Sequence, residues 1–339
     1  MITQVKTSVK WVAAAGSVAA IFVLSMCVGR FPLAPPEVVQ SLLQGIFGID
    51  YGMEADALSV VLDNRLPRAC AGALVGAALA ASGCAFQGLF QNPLVSQGIL
   101  GVSSGASFGA ALSILLFSTT IFTPWFAFAF ALLAVFFSFM VARMCGEVST
   151  LMLVLGGIIV SAIFSSLLSL LKYVADPYNQ LASIVFWNMG SLASIESSVM
   201  PFGSFAMLLG MVLLLLSSWA LNVLSMGDRE AKSMGLSVPV ARGVVVAGAS
   251  LATAGAVCIA GTVGWVGLVI PHIARFLVGS DNRVVVPFSM LIGAAFMMFI
   301  DILSRTLTGS EIPLGILTSL IGAPFFIYLL RRYKGRGWR

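Results

Sequence analysis

Charge is what this sequence has least of. Asp, Glu, Lys and Arg make up 9% of its 339 residues, whereas a soluble domain carries roughly 25% to coat its surface. With 59% hydrophobic residues and a mean hydropathy of +1.05, lipid rather than water must cover most of the surface. Histidine is nearly absent. His272 stands alone, which excludes a histidine-based metal cluster or catalytic pair and leaves a packed or capped ring as the plain expectation. Cys27, Cys70, Cys84, Cys145 and Cys258 fall singly within apolar stretches, without the spacing of a zinc site or a disulfide framework. HExxH, GxSxG and the glycine-rich GxxxxGK-Ser/Thr loop that cradles phosphates are missing as well. The chain is therefore read as no enzyme, with no catalytic residue, metal or cofactor of its own. The net charge of +5 comes without a basic stripe and interleaved aromatics, so nucleic acid is not an expected partner.

What is present is a series of apolar runs. About 20 apolar residues cross roughly 30 Å of hydrocarbon. Ten candidate spans follow: 11–29, 64–90, 98–117, 123–142, 151–174, 200–221, 243–262, 264–278, 286–307 and 313–331. The third is rich in Gly and Ser and the eighth contains Pro271. Both are expected to be enclosed by other helices, since broken backbone is tolerated only away from lipid. Lys6 and Lys10 precede the first run as in a signal peptide, but no A-x-A site follows, so a retained helix is expected. With ten crossings and the N-terminus inside, the cytoplasmic side holds Lys6, Lys10, Arg143, Arg229, Lys232, Arg242, Arg275, Arg283, Arg331, Arg332, Lys334, Arg336 and Arg339, which is 13 of the 18 basic residues. That asymmetry places both termini in the cytoplasm.

One polytopic domain over 1–339 is expected. In 30–63, Pro35-Pro36-Glu37 signals a helix start, and the apolar positions after it suit a short interfacial helix. An outer connection, 175–199, carries the apolar Ile184, Val185, Phe186 and Trp187. The longest cytoplasmic connection, 222–242, has helix formers between two glycines and reads as a short exposed docking helix. Gly72/Gly76 and Gly101/Gly105/Gly109 place small residues on helix faces where backbones can approach.

Charges near the spans sit at their ends. Asp63, Arg65 and Arg68 cluster at the outer start of span two, and Asp301 and Arg305 are four apart on span nine. Local pairing of Arg65 and Arg68 with Asp63, and of Arg305 with Asp301, is the plain expectation. No relay of Asp, Glu or His crosses the middle of the spans. That weakens the different-class alternative, a secondary transporter working without an ATPase.

Several motifs in order carry a resemblance: Arg65-Leu66-Pro67-Arg68, Gln91-Asn92-Pro93-Leu94, Gly-Ile-Leu-Gly-Val-Ser-Ser-Gly-Ala at 98–106, Gly-Leu-Val-Ile-Pro-His-Ile-Ala-Arg at 267–275 and Glu-Ile-Pro-Leu-Gly-Ile at 311–316. Together they resemble the FecCD-type permeases of the iron-siderophore, haem and cobalamin uptake family, over nearly the whole chain. Gly261-Thr262-Val263-Gly264-Trp265 departs from that family's usual Gly-Pro-Ile-Gly-Phe and leaves the geometry before span eight open.

The resemblance implies an all-α, type II ABC importer permease with about ten transmembrane helices, in the bacterial or archaeal cytoplasmic membrane. It implies a homodimer with the pathway at its interface, two cytoplasmic ATP-binding subunits holding ATP and magnesium, and an extracytoplasmic substrate-binding protein. Arg65, Arg68 and Arg305 match the family's outer docking arginines. Gly227, Asp228, Glu230, Ala231, Met234 and Gly235 match the ATPase coupling loop, and Asn92, Leu94, Ser149 and Thr150 the cytoplasmic gate. The expected cargo is an iron chelate, ferric siderophore or haem, with cobalamin or molybdate/tungstate as the alternative.

Overall fold

Apolar runs of this length can satisfy their backbone away from water as helices, and among the described residues no strand forms. The computed structural model describes residues 2–144, 149–193, 195 and 198–333. Cys145 and the basic Lys334, Arg336 and Arg339 lie outside them. The elements are α1 (Ile2–Cys27), α2 (Pro35–Phe47), α3 (Ala55–Ser59), a π-helical stretch (Val60–Arg65), α4 (Leu66–Leu89), α5 (Val102–Phe117), α6 (Thr123–Met144), α7 (Thr150–Val174), α8 (Gln180–Met189), α9 (Met200–Leu216), α10 (Ser218–Leu224), α11 (Asp228–Ser233), α12 (Val238–Ala260), α13 (Val266–Val278), α14 (Asn282–Thr306) and α15 (Leu314–Tyr333).

Each of the ten apolar runs is helical, the run 200–221 as two helices. Six stretches are long and apolar enough to cross a membrane: α1, α3 through α4, α6, α7, α12 and α14. The pair α9 and α10 qualifies together but is bent by 56°. The shorter apolar helices are α5, α13 and α15. The chain is an all-α, multi-pass membrane protein.

Helix α4 is the axis of the bundle, buried along nearly its whole length and flanked by α14, α12, α13 and α9. Its small residues make this possible. A Cβ on Gly76 would stand 2.1 Å from the Gly293 carbonyl oxygen, and one on Gly83 would stand 1.9 Å from that of Gly267. The expected glycine face on α5 also forms: Gly105 and Gly109 lie against the α6 backbone at Phe130 and Phe126. Gly101 is not on that face, because it precedes α5 with a φ of 84° and packs towards Ser161 and Val160 of α7.

The expected interfacial helix is α2. Its first turn is closed by the Ala34 N–H donating to the Glu37 carboxylate at 2.7 Å. One expectation changes. Span two starts at Ala55 rather than 64, because the helix continues back through the π stretch. Pro67 has no N–H and its ring crowds the preceding turn, and the wider π turn relieves that crowding. The 175–199 connection keeps an exposed side, with Tyr178 88% and Phe186 49% exposed. It forms α8 and then turns inward, so that Leu192 packs against Gly72, about two turns along α4.

Candidate functional site

At one end of the bundle, the arginine end, four pieces of chain meet: the end of α1, the π stretch with the start of α4, the end of α14, and the linker after it. Arg65 caps α1. Its Nη1 donates to the carbonyls of Met26 (2.7 Å) and Cys27 (3.1 Å), and its Nη2 to that of Phe31. The first two carbonyls lie in the last turn of α1, where no helical N–H reaches them and the helix dipole is negative. Arg68 donates from Nε to Asp301 at 2.7 Å and, as a fork, from Nη1 and Nη2 to the two Glu311 oxygens at 2.9 and 2.7 Å. Arg305 donates to the carbonyl of Ser25 (2.6 Å) and to its hydroxyl (2.8 Å), and its Nε stands 3.5 Å from Asp301.

The i,i+4 pair of Asp301 and Arg305 is therefore present. Asp63 pairs with neither Arg65 nor Arg68 and stays exposed; the partners lie on distant elements instead. Exposures of 3, 5 and 7% for Arg65, Arg68 and Arg305, with 1% for Asp301, place all four inside the molecule. Burial alone would raise the Glu311 carboxyl, but the hydrogen bonds and charge of Arg68, with the charges of Arg30 and Arg305, outweigh it and hold Glu311 below its ordinary value. Arg68 also borders a cavity of about 300 Å³ lined by Asp63, Asn64, Pro67, Leu192 and Met200.

The opposite end carries α11. The predicted helix between two glycines forms, with Gly227 and Gly235 at φ 118° and 79° where the backbone reverses. Arg242, buried on α12, grips both Asp228 oxygens at 2.8 and 3.0 Å and fixes the start of α11. Ala231 is fully buried and turns inward, which makes it an anchor rather than a contact. Arg229, Glu230, Lys232 and Met234 remain exposed. Nearby, Asn222 donates to Asp281 at 2.6 Å. That bond and the Arg283 N–H hold the Asp281 carboxyl below its ordinary value.

The expected gate residues occupy two elements at this same end. Ser149 is the N-cap of α7, its hydroxyl accepting from the Met152 N–H at 3.3 Å, and Thr150 is the first helical residue. Asn92 and Leu94 lie in the loop after α4, where the Asn92 side chain accepts from the Leu94 N–H at 2.9 Å and Leu94 is 56% exposed. Among the described residues no hydrogen bond joins the two pairs. The contact between their elements comes further along, where Gly157 of α7 packs on the carbonyl of Ile99.

The loop after α4 is held by side chains whose partners only the fold reveals, His272 being the capped ring expected of it. Gln87 donates to the carbonyls of Val95 (3.2 Å), Gly267 (3.3 Å) and Leu268 (3.2 Å), and accepts from Arg275. His272 bonds through Nε2 to the Pro93 carbonyl at 2.8 Å. Gln91 donates to the Leu224 carbonyl at 3.1 Å. The available signal was a pair of glutamines four apart at the end of an otherwise apolar helix.

Between the two ends, three backbone breaks meet inside the bundle. Leu314 donates its N–H to Gly190 at 2.9 Å, Ser191 donates to Ala260 at 2.9 Å, and the Thr262 hydroxyl donates to Asn188 at 2.5 Å. The departure at 261–265 thus closes without its usual proline, with Trp265 in left-handed backbone at φ 67°. Broken backbone at such depth must be enclosed or line a cavity. An open groove of about 500 Å³ lies here, bordered by Asn188, Thr262, Gly264, Gly315, Ile316 and Ser319, with no charged side chain in its lining.

Comparisons with known proteins cover the same length of chain. The sequence profile of the FecCD transport family matches residues 17–332. A molybdate import system permease, MolB of Haemophilus influenzae, is 41% identical over 317 residues, 93% of each chain. An iron chelatin transport system permease of Helicobacter pylori is 38% identical over 283 residues, covering 83% of this chain and 86% of that one. A solved structure described as an inward-facing metal-chelate type ABC transporter superposes with a TM-score of 0.83 at 36% identity, covering 96% of this chain and 99% of that one.

Proposed function

The chain belongs to the FecCD transport family and is an importer permease of the ATP-binding-cassette class, and from that premise we propose that its cargo is an iron chelate, either a ferric siderophore or haem. The observation that carries this reading is the open groove of about 500 Å³ on the face formed by α8, the 262–264 turn and α15, whose lining offers neutral hydroxyl, amide and apolar groups but no fixed cation. Such walls suit a bulky chelate that must pass without being held. One observation favours a second reading: the 41% identity to a molybdate permease, which makes an oxyanion the alternative cargo.

In this reading the basic residues set the orientation, with α11 and both termini in the cytoplasm and the arginine end outside. Two copies of the chain form the pathway between them. The ATP and magnesium belong to two cytoplasmic ATPase subunits, which seat on the exposed Arg229, Glu230, Lys232 and Met234 of the α11 region. An extracytoplasmic binding protein docks at the arginine end. Arg68 borders the open cavity there, and its bidentate partner Glu311 is the group that an incoming carboxylate would replace. Arg65 and Arg305 reach a docking partner only by giving up their carbonyl contacts to the end of α1. Asn92, Leu94, Ser149 and Thr150 form the cytoplasmic gate.

The test is ATP hydrolysis by the chain purified with its ATPase subunit and binding protein. Binding protein loaded with a ferric siderophore or haem should stimulate hydrolysis, and Arg68→Glu should abolish the stimulation. Stimulation by molybdate alone would move the cargo to the second reading. Full stimulation of the Arg68→Glu chain would remove the docking role.

A further inference from the structure

The loop after α4 is tied at both ends, and one tie reaches the element ahead of α11. Gln91 has a φ of 49°, a left-handed conformation that a side-chain-bearing residue keeps only when its surroundings hold it. In that conformation its amide donates to the carbonyl of Leu224 at 3.1 Å. Leu224 ends α10, and the same carbonyl accepts the Gly227 N–H at 3.2 Å in the turn that leads into α11. On the other side of the loop, His272 holds Pro93 and Gln87 holds Val95, so that Asn92 and Leu94 lie between fixed points.

We propose that Gln91 is a positioning residue that transmits displacement of α11 to the gate loop. The Leu224 carbonyl is the contact through which it acts. This rests on the reading of α11 as the ATPase contact. When α11 moves, the turn 224–227 moves with it. Gln91 then draws the loop that carries Asn92 and Leu94, while His272 and Gln87 make the loop follow as one piece with α13 rather than unfold locally.

The experiment uses the full complex with its ATPase subunit and needs no cargo. A Leu94→Cys chain, with the native cysteines replaced, is labelled by a membrane-impermeant maleimide with and without ATP. The ratio of the two labelling rates reports gate movement. With Gln91 intact this ratio departs from one. Gln91→Ala and Gln91→Gly should each shrink the ATP effect about fivefold, the order of one net hydrogen bond. Gln91→Gly also relieves the backbone, so equal loss in both assigns the effect to the lost donor. Gln91→Lys, which keeps an N–H donor of similar reach, should restore it.

An undiminished ATP effect in the alanine and glycine chains overturns the proposal. So does a lysine chain as defective as alanine. Co-purification of the ATPase reports the premise separately. If Glu230→Arg with Met234→Asp leaves the ATPase bound as before, α11 is not its contact, and the link falls with that reading.

Discussion

Asp301 is the residue that holds the arginine end together. It is almost fully buried between Arg68 and Arg305, and removing one partner of a buried ion pair leaves the others uncompensated at a cost of about 3–5 kcal/mol. Asp301→Asn should therefore lower the thermal unfolding midpoint in detergent strongly, while Asp63→Asn, at an exposed position, should leave it in place. Equal effects would show that burial of the cluster contributes nothing to the fold. Glu311 adds a pH dependence with a definite sign. Its carboxyl is held below the ordinary value of 4.5, so its contribution is complete above that pH and is lost as pH falls through the lowered value. Midpoints measured from about pH 7 down to about pH 3 should fall less steeply in Glu311→Gln than in the native chain. The Asp301–Arg305 pair was legible in the sequence because it needs only helical spacing. The partners of Arg65 and Arg68 were not, because they come from α1, α14 and the following linker, brought alongside by packing that no local pattern encodes.

Helices were the most legible elements, since a run of apolar residues that must hide its backbone from lipid has few alternatives. The six helices that pass on their own as spans, the bent pair and the three shorter helices all fall on the runs read from hydropathy. The π stretch and α8 were not legible. The first depends on how Pro67 is accommodated, and the second on packing against α5 and α15, with Ile184 buried beside Ala111 and Ile114. Contacts between elements rest on small residues, and the prediction at this scale follows from them. Gly83→Ala places a methyl on the Gly267 backbone, and such overpacking costs about 1–3 kcal/mol. Gly243, with open space around its Cβ position, serves as the control, where alanine should be neutral or slightly stabilising within the helix. Unfolding midpoints of the two variants measured side by side would reveal the difference, and an unchanged midpoint for Gly83→Ala would mean that α4 and α13 do not pack this closely.

For the whole molecule, the sequence motifs already pointed to one family of importer permeases, and the profile match over 17–332 places the chain there. What the motifs could not convey is how the three regions connect. The arginine end and the α11 end are linked through α4, which starts beside Asp301 and leads into the loop that Gln91 ties to Leu224, while the open groove lies on other elements. Helix α4 carries Arg68 near its start and Gln87 near its end, and so fixes the distance between the arginine end and the loop after it. The cargo was not legible because walls that release a solute offer few specific groups. The central claim, ATP-driven import through this chain, is tested most directly by uptake into proteoliposomes that hold it with its ATPase subunit. With a ferric siderophore on its binding protein at the arginine side and ATP at the α11 side, the account predicts accumulation of radiolabelled iron that stops when ATP is withheld. Uptake that proceeds without the ATPase subunit, driven by a proton gradient alone, would contradict it.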